Sequence, residues 1–94
     1  MNEQQLRLRL VYHGRVQGVG FRYTTDRIAR GYPVIGSVRN QSDGTVELIV
    51  AGDSSQVRAF LTAVADAFDG NIADAEEELL DAATPVGDSF SIRY

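Results

Sequence analysis

Up to residue 70 the hydrophobic period of this chain switches between two and 3.6 in one order: strand, helix, strand, strand, helix. Leu6-Arg7-Leu8-Arg9-Leu10-Val11-Tyr12-His13 alternates, with Leu6, Leu8, Leu10 and Tyr12 on one face and Arg7, Arg9, Val11 and His13 on the other. That is the pattern of a half-buried strand. Over Phe21 to Arg30, the residues Phe21, Thr24 or Thr25, and Ile28 fall on one side at helical spacing, with Ala29 beside them. Gly31 stands where a left-handed C-cap is wanted, and Pro33 prevents continuation. Val34 to Asn40 and Thr45 to Ala51 read as the two strands of a hairpin. Gln41-Ser42-Asp43-Gly44 is the turn, where Asp-Gly supplies a positive φ. Val57, Phe60, Leu61, Val64 and Phe68, at steps of three and four, mark a second helix. Asp53 and Gln56 fit a capping box at its start, and Gly70 closes it.

Residues 72–80 carry two conflicting signals. The run Ala-Asp-Ala-Glu-Glu-Glu-Leu-Leu is rich in helix formers. Yet the order βαββα leaves a sheet edge to fill, so a strand is expected within Ala73 to Leu80. Acidic residues are tolerated on an edge strand and discourage edge-to-edge pairing. Pro85 to Asp88 reads as loop, and Phe90-Ser91-Ile92-Arg93-Tyr94 alternates as a short final strand. The expected fold class is therefore α+β: a ferredoxin-like βαββαβ sandwich, with an antiparallel sheet of four strands plus a short C-terminal strand and two helices on one face. No internal repeat or linker divides residues 1–94, so a single domain is expected.

Composition narrows the chemistry. A chain of 94 residues buries about 60–65% of its unfolded surface, enough for one modest core. Cysteine is absent and there is one histidine, which excludes disulfides, thiolate zinc sites and a histidine metal cluster. The expectation is a protein that works without metal or other cofactor. No run approaches the roughly 20 apolar residues of a membrane span. The polar Met1-Asn2-Glu3-Gln4-Gln5 lacks the layout of a signal peptide, so a cytoplasmic location is expected. A net charge of −4 disfavours nonspecific nucleic-acid binding. All nine basic residues are arginine, so arginine must fill any cationic role.

Between the first strand and the first helix lies Gly14-Arg15-Val16-Gln17-Gly18-Val19-Gly20-Phe21-Arg22. Its glycines permit tight bends, and its amides, with those of the helix start, point toward one spot. Donors converging at the positive end of a helix dipole form an anion site, and Arg22 adds a fork suited to a tetrahedral oxyanion. Neither G-x-G-x-x-G nor a Gly-Lys-Ser/Thr ending is present, so the two familiar nucleotide loops are disfavoured. On these residues alone, a tight connection with a solvated arginine remains open.

Right-handed crossovers make the first two strands parallel with the third between them. Asn40 then lies about 10 Å, two strand spacings, from the glycine loop. A carboxamide both accepts and donates and can hold a water, although a plain turn residue stays open at this point. No serine or threonine has a nearby histidine or lysine, so no protein nucleophile is evident. His13 reads as a strand-end residue rather than a general base, and Arg15 and Arg39 as surface charges. Phe21 and Val19 read as packing residues.

The stretch from Gly14 to Arg22 resembles the signature of the acylphosphatase family. Gly36-Ser37-Val38-Arg39-Asn40, followed by Asp43-Gly44-Thr45-Val46-Glu47, is similar to that family's second signature, in the family's order. The resemblance covers roughly residues 6 to 94. It implies hydrolysis of an acyl phosphate to a carboxylate and inorganic phosphate, with no metal and no phosphoenzyme. It implies catalytic roles for Arg22, which binds the phosphate, and Asn40, which orients the water. The phosphate-binding set it implies is Arg15, Val16, Gln17, Gly18, Val19, Gly20 and Arg22. A small-molecule substrate and a monomer are the expected partners and state. Ser37 stands where the family often has a bulky aromatic, and Arg30-Gly31-Tyr32-Pro33 departs from its usual link. The alternatives are a noncatalytic ferredoxin-like module that holds an anion or a partner, and a domain of a larger carbamoyl-phosphate-using maturation protein. An RNA-binding domain is disfavoured by the negative charge.

Overall fold

Pairing of the first strand with two others, one on each side, organises the molecule. The computed structural model describes residues 4–94. In chain order the elements are β1 (Gln5–Gly14), α1 (Phe21–Ala29), β2 (Ile35–Asn40), β3 (Val46–Asp53), α2 (Ser54–Ala67), β4 (Ile72–Leu79) and β5 (Phe90–Arg93). The sheet order is β4-β1-β3-β2-β5. The first four of these pair antiparallel, and β5 joins the β2 edge in parallel. This is the ferredoxin-like arrangement that the period pattern predicts, with β3 between β1 and β2. For Met1 to Glu3, the expectation that no signal peptide is present lies outside the described residues. No described helix is long and apolar enough to cross a membrane.

Alternation in β1 sends Leu8, Leu10 and Tyr12 into the core, where they meet Val46, Leu48 and Val50 of β3. Val57, Phe60, Leu61 and Val64 of α2 cover them, and Phe21 and Ala29 of α1 complete the layer. Fully burying one such apolar side chain stabilises the fold by about 1.5–3 kcal/mol. The opposite sheet face carries charged side chains around the buried Val11 and Ala51. There Glu47 of β3, 7% exposed, accepts from Arg9 Nε at 2.6 Å and from Arg39 Nε at 2.9 Å.

Segment 72–80 is a strand despite its helix propensity. Seven of the eight residues of β4 are exposed, and Ile72 is half-buried. Backbone pairing to β1 from Leu8↔Leu79 to Gly14↔Ile72 holds it in place. Arg58 of α2 adds a two-pronged bond to Glu77 at 2.7 and 2.9 Å. Tertiary pairing overrides a propensity worth only tenths of a kilocalorie per residue.

Two local expectations are corrected. Gly31 does not form a left-handed cap: α1 ends through Arg30, in right-handed conformation, whose amide donates to the Arg27 carbonyl at 3.2 Å, while the Gly31 amide donates to the Ile28 carbonyl at 3.0 Å. The Pro33 block and a following turn are sufficient to stop the helix. The capping box at α2 does not form either. Asp53 is the N-cap residue, but its carboxylate accepts from Gln5 Nε2 instead of from the helix. The Ser54 amide is satisfied by the Gln4 carbonyl at 2.8 Å.

Candidate active site

A bulge between His13 and Gly14 shifts the β1–β4 register and releases the chain into the glycine loop. Gly14 has φ 120°, and a Cβ there would lie 2.4 Å from the Asn71 carbonyl oxygen. That close approach is used: the Arg15 amide donates to Asn71 O at 2.9 Å, and Asn71 Nδ2 donates back to Arg15 O at 3.1 Å. Val16, fully buried, pins the loop to the core. Gly20, at φ 79°, is the N-cap of α1 in left-handed conformation, which a side chain would resist. Its carbonyl takes the Thr24 amide at 2.9 Å.

These anchors leave a run of donors unspent. Among the described residues, no protein acceptor takes the amides of Val16 to Gly20, nor those of the first turn of α1 before Thr24. The Arg15 amide is the exception within the stretch, being committed to Asn71. Free amides at the positive end of a helix favour a bound anion.

A cleft of about 200 Å³ opens at this point, lined by Gly18, Gly20, Arg22 and Tyr23, by Asn40 of β2, and by Ile92 and Tyr94. Arg22 and Asn40 thus meet at one cavity although 18 positions separate them in the chain. Asn40 follows Val38 at a period of two and shares its helix-side face, while Arg39 points to the open side. The Asn40 side chain makes no hydrogen bond among the described residues, so both ends of its carboxamide are available. Arg22 has no carboxylate partner among them. Its Nη1 donates to the Arg93 carbonyl at 3.3 Å, and its Cζ lies 4.7 Å from the Tyr94 ring centroid. An unneutralised guanidinium beside unpaired amides gives the cleft a positive character within an acidic chain.

Other residues take less central places. His13 lies on the open face and contacts Glu76 at 3.1 Å, away from the cleft. Phe21 backs the cleft from the core, stacked on Phe68 at 4.4 Å. Val19, expected to pack, is instead 40% exposed on the outside of the loop. The reading of the residues missed Ile92 and Tyr23 as walls. Alternation in residues 90–94 signals the strand but not the edge on which it docks.

A family model described as Acylphosphatase matches residues 8–92. The chain belongs to the acylphosphatase family. Among relatives, an acylphosphatase of Azorhizobium caulinodans is 40% identical over 87 residues, 90% of this chain and 91% of that protein. One of Thermococcus kodakarensis is 48% identical over 58 residues, 62% of this chain. That match spans 64% of the Thermococcus protein, a little under two thirds of its length. Among solved structures, the acylphosphatase of Bacillus subtilis superposes with a TM-score of 0.84 at 33% identity, covering 95% of this chain and 99% of that one. The cleft lies between the loop that follows β1 and the end of β2, and is lined by Gly18, Gly20 and Arg22 on one side and Asn40 on the other.

Proposed function

We propose that this enzyme of the acylphosphatase family hydrolyses the carboxyl–phosphate anhydride of small acyl phosphates, with Arg22 and the loop amides holding the phosphoryl group and Asn40 orienting the attacking water. The observation that carries the reading is the shared cleft, where a guanidinium without a carboxylate partner among the described residues, unpaired amides and an unengaged carboxamide face one space. The substrate phosphate sits against the amides of Val16 to Gly20 and the fork of Arg22. The Arg15 amide is excluded from that set by its bond to Asn71.

The Asn40 carboxamide accepts from one water and aims its oxygen at phosphorus, opposite the acyl oxygen. A bond forms between the water oxygen and phosphorus as the bond from phosphorus to the acyl oxygen breaks. The electron pair leaves with the carboxylate. The water proton passes to a phosphate oxygen, giving inorganic phosphate. A carboxylate is a weak base and leaves without a protein acid. Charge on the equatorial oxygens is met by donors already in place, so positioning and electrostatics carry the catalysis. In this reading no metal takes part, and the enzyme works as a monomer in the cytoplasm without a nucleic-acid partner.

The test is hydrolysis of benzoyl phosphate in the presence of a chelator. Arg22→Ala and Asn40→Ala should each lower kcat about 10²- to 10³-fold, as loss of a transition-state donor does. Wild-type turnover in both variants, or saturable phosphate binding without any hydrolysis by the native chain, would overturn the reading.

A further inference from the structure

The two halves of the cleft hang from different strands. β1 feeds the glycine loop and β2 ends at Asn40, with β3 between them. Tyr12 of β1 and Asn40 of β2 both pair with Val46 of β3. That rung is the last one the three strands share. Beyond it, no ladder bond sets the distance from the loop to the Asn40 side chain.

One side chain spans the gap. Gln17, half-buried in the middle of the loop, directs Nε2 to the carbonyl oxygens of Gln41 at 2.7 Å and Thr45 at 2.9 Å. A carboxamide nitrogen has two hydrogens, so both are used. The two acceptors flank the β2–β3 turn, and Gln41 directly follows Asn40. Thr45 O also accepts the Gln41 amide at 2.8 Å, so the bond that closes the hairpin and the bond from the loop share one atom. The turn is braced within itself. Gln41 Nε2 donates to Thr45 Oγ1 at 2.9 Å, and Asp43 Oδ1 accepts from Thr45 Oγ1 at 2.6 Å and Thr45 N at 3.1 Å. Those bonds from Thr45 hold the Asp43 carboxyl below the ordinary carboxylate range. A braced turn responds to the Gln17 bonds as a unit and carries Asn40 with it. On its other side the loop is held by Arg15 and Asn71.

We infer that Gln17 is a positioning residue whose side chain sets the separation between the phosphate-holding loop and Asn40, and thereby the line of water attack on phosphorus. The inference rests on the proposed function and adds to it a residue that need not touch substrate with its side chain. In-line displacement is sensitive to placement, and a shift of about 1 Å can cost about 10²-fold in rate. Holding the phosphate, by contrast, needs only the loop and Arg22.

The test compares the native chain with Gln17→Met, Gln17→Glu, Asn40→Ala and the double variant Gln17→Met/Asn40→Ala. Each is assayed for kcat with benzoyl phosphate and for the inhibition constant of inorganic phosphate, with folding checked by circular dichroism. Met keeps the length without the donors. Glu keeps the shape and sets a carboxylate against two carbonyl oxygens, so it should do worse than Met. Gln17→Met should lower kcat about ten- to hundredfold. It should leave the phosphate inhibition constant within about threefold, and add nothing to the loss already caused by Asn40→Ala. A merely structural role would weaken phosphate binding in step with kcat and would multiply with Asn40→Ala. Either result, or kcat within about twofold of native in both Gln17 variants, overturns the inference while leaving an impaired Asn40→Ala in place. Native turnover in Asn40→Ala itself would remove Asn40 from the proposed function, and this inference with it.

Discussion

Arg22 and Tyr94 lie face to ring at the mouth of the cleft, with the guanidinium carbon 4.7 Å from the ring centroid. Tyr94 is 98% exposed, so the contact costs the ring little desolvation and gains little core. Its consequence is for Arg22, which is steered by the ring and by the Arg93 carbonyl and, among the described residues, by no carboxylate. A cation over an exposed aromatic face contributes about 0.5–1 kcal/mol. Tyr94→Ala should therefore lower kcat/KM for benzoyl phosphate about two- to fivefold. Tyr94→Phe, which keeps the ring face, should stay near native. Steady-state kinetics on the two variants checks this, and equal losses in both would assign the effect to the hydroxyl instead.

Gly14 offers a sharper test of how the loop is held. A Cβ at this position would lie 2.4 Å from Asn71 O and 2.7 Å from the Ala73 amide, at a φ of 120° that other residues avoid. Both neighbours are backbone and cannot rotate away. Gly14→Ala should destabilise the fold by about 1–3 kcal/mol. It should also raise the inhibition constant of phosphate, because Asn71 O is the acceptor that anchors the Arg15 amide. Urea denaturation at unchanged m-value, with phosphate inhibition on the folded fraction, measures both.

Much of this architecture is legible in the residues, and what is not has identifiable causes. β1 and α2 announce themselves because one face of each is buried and the other wet. The β2–β3 hairpin does so through Asp43-Gly44. The loop and Asn40 are legible as motifs, and the topology then explains why they meet. β4 is hidden because seven of its residues are exposed, so backbone pairing with β1 rather than side-chain burial makes it a strand. The docking of β5 beside β2 depends on which sheet edge is free, a property of the assembled fold. Asp53 is lost to Gln5, a competitor 48 residues away that no local capping rule sees. The bonds of the Gln17 side chain end on backbone carbonyls, and a carbonyl leaves no signature in a sequence.

On the open face, Glu47 supplies a pH dependence. Burial pushes its carboxyl up, but the hydrogen bonds and charges of Arg9 and Arg39 outweigh that and hold it below the ordinary carboxylate value. A folded pKa below the unfolded one means that the folded state binds fewer protons near that range. The stabilisation is fully present above the unfolded pKa of about 4.3 and is lost as pH falls through the folded value. Arg9 and Arg39 are 33% and 49% exposed, so solvent screens the pair. Glu47→Gln should cost about 1–2 kcal/mol at pH 7. Its deficit against native should shrink at pH 3, read by urea denaturation at both values. An equal deficit at both would show that the charge of Glu47 is not what the arginines use.

Thr25 sets up the opposite kind of change, a gain. It is fully buried on the inner face of α1, and its Oγ1 has no hydrogen-bond partner among the described residues. A threonine inside a helix usually turns its hydroxyl to a carbonyl one turn back. Here the hydroxyl is left without that bond, and an unsatisfied buried hydroxyl costs about 1–3 kcal/mol. Valine has the same branched shape with a methyl in place of the hydroxyl, and packing around α1 can accept it unchanged. Thr25→Val should stabilise the fold by about 1 kcal/mol. That would raise the melting temperature by about 4–8 °C for a domain of this size. The position faces the core behind Phe21, away from the cleft, so kcat should stay within about twofold of native. A fall in melting temperature would mean that the hydroxyl holds a water or a carbonyl that the packing of α1 requires.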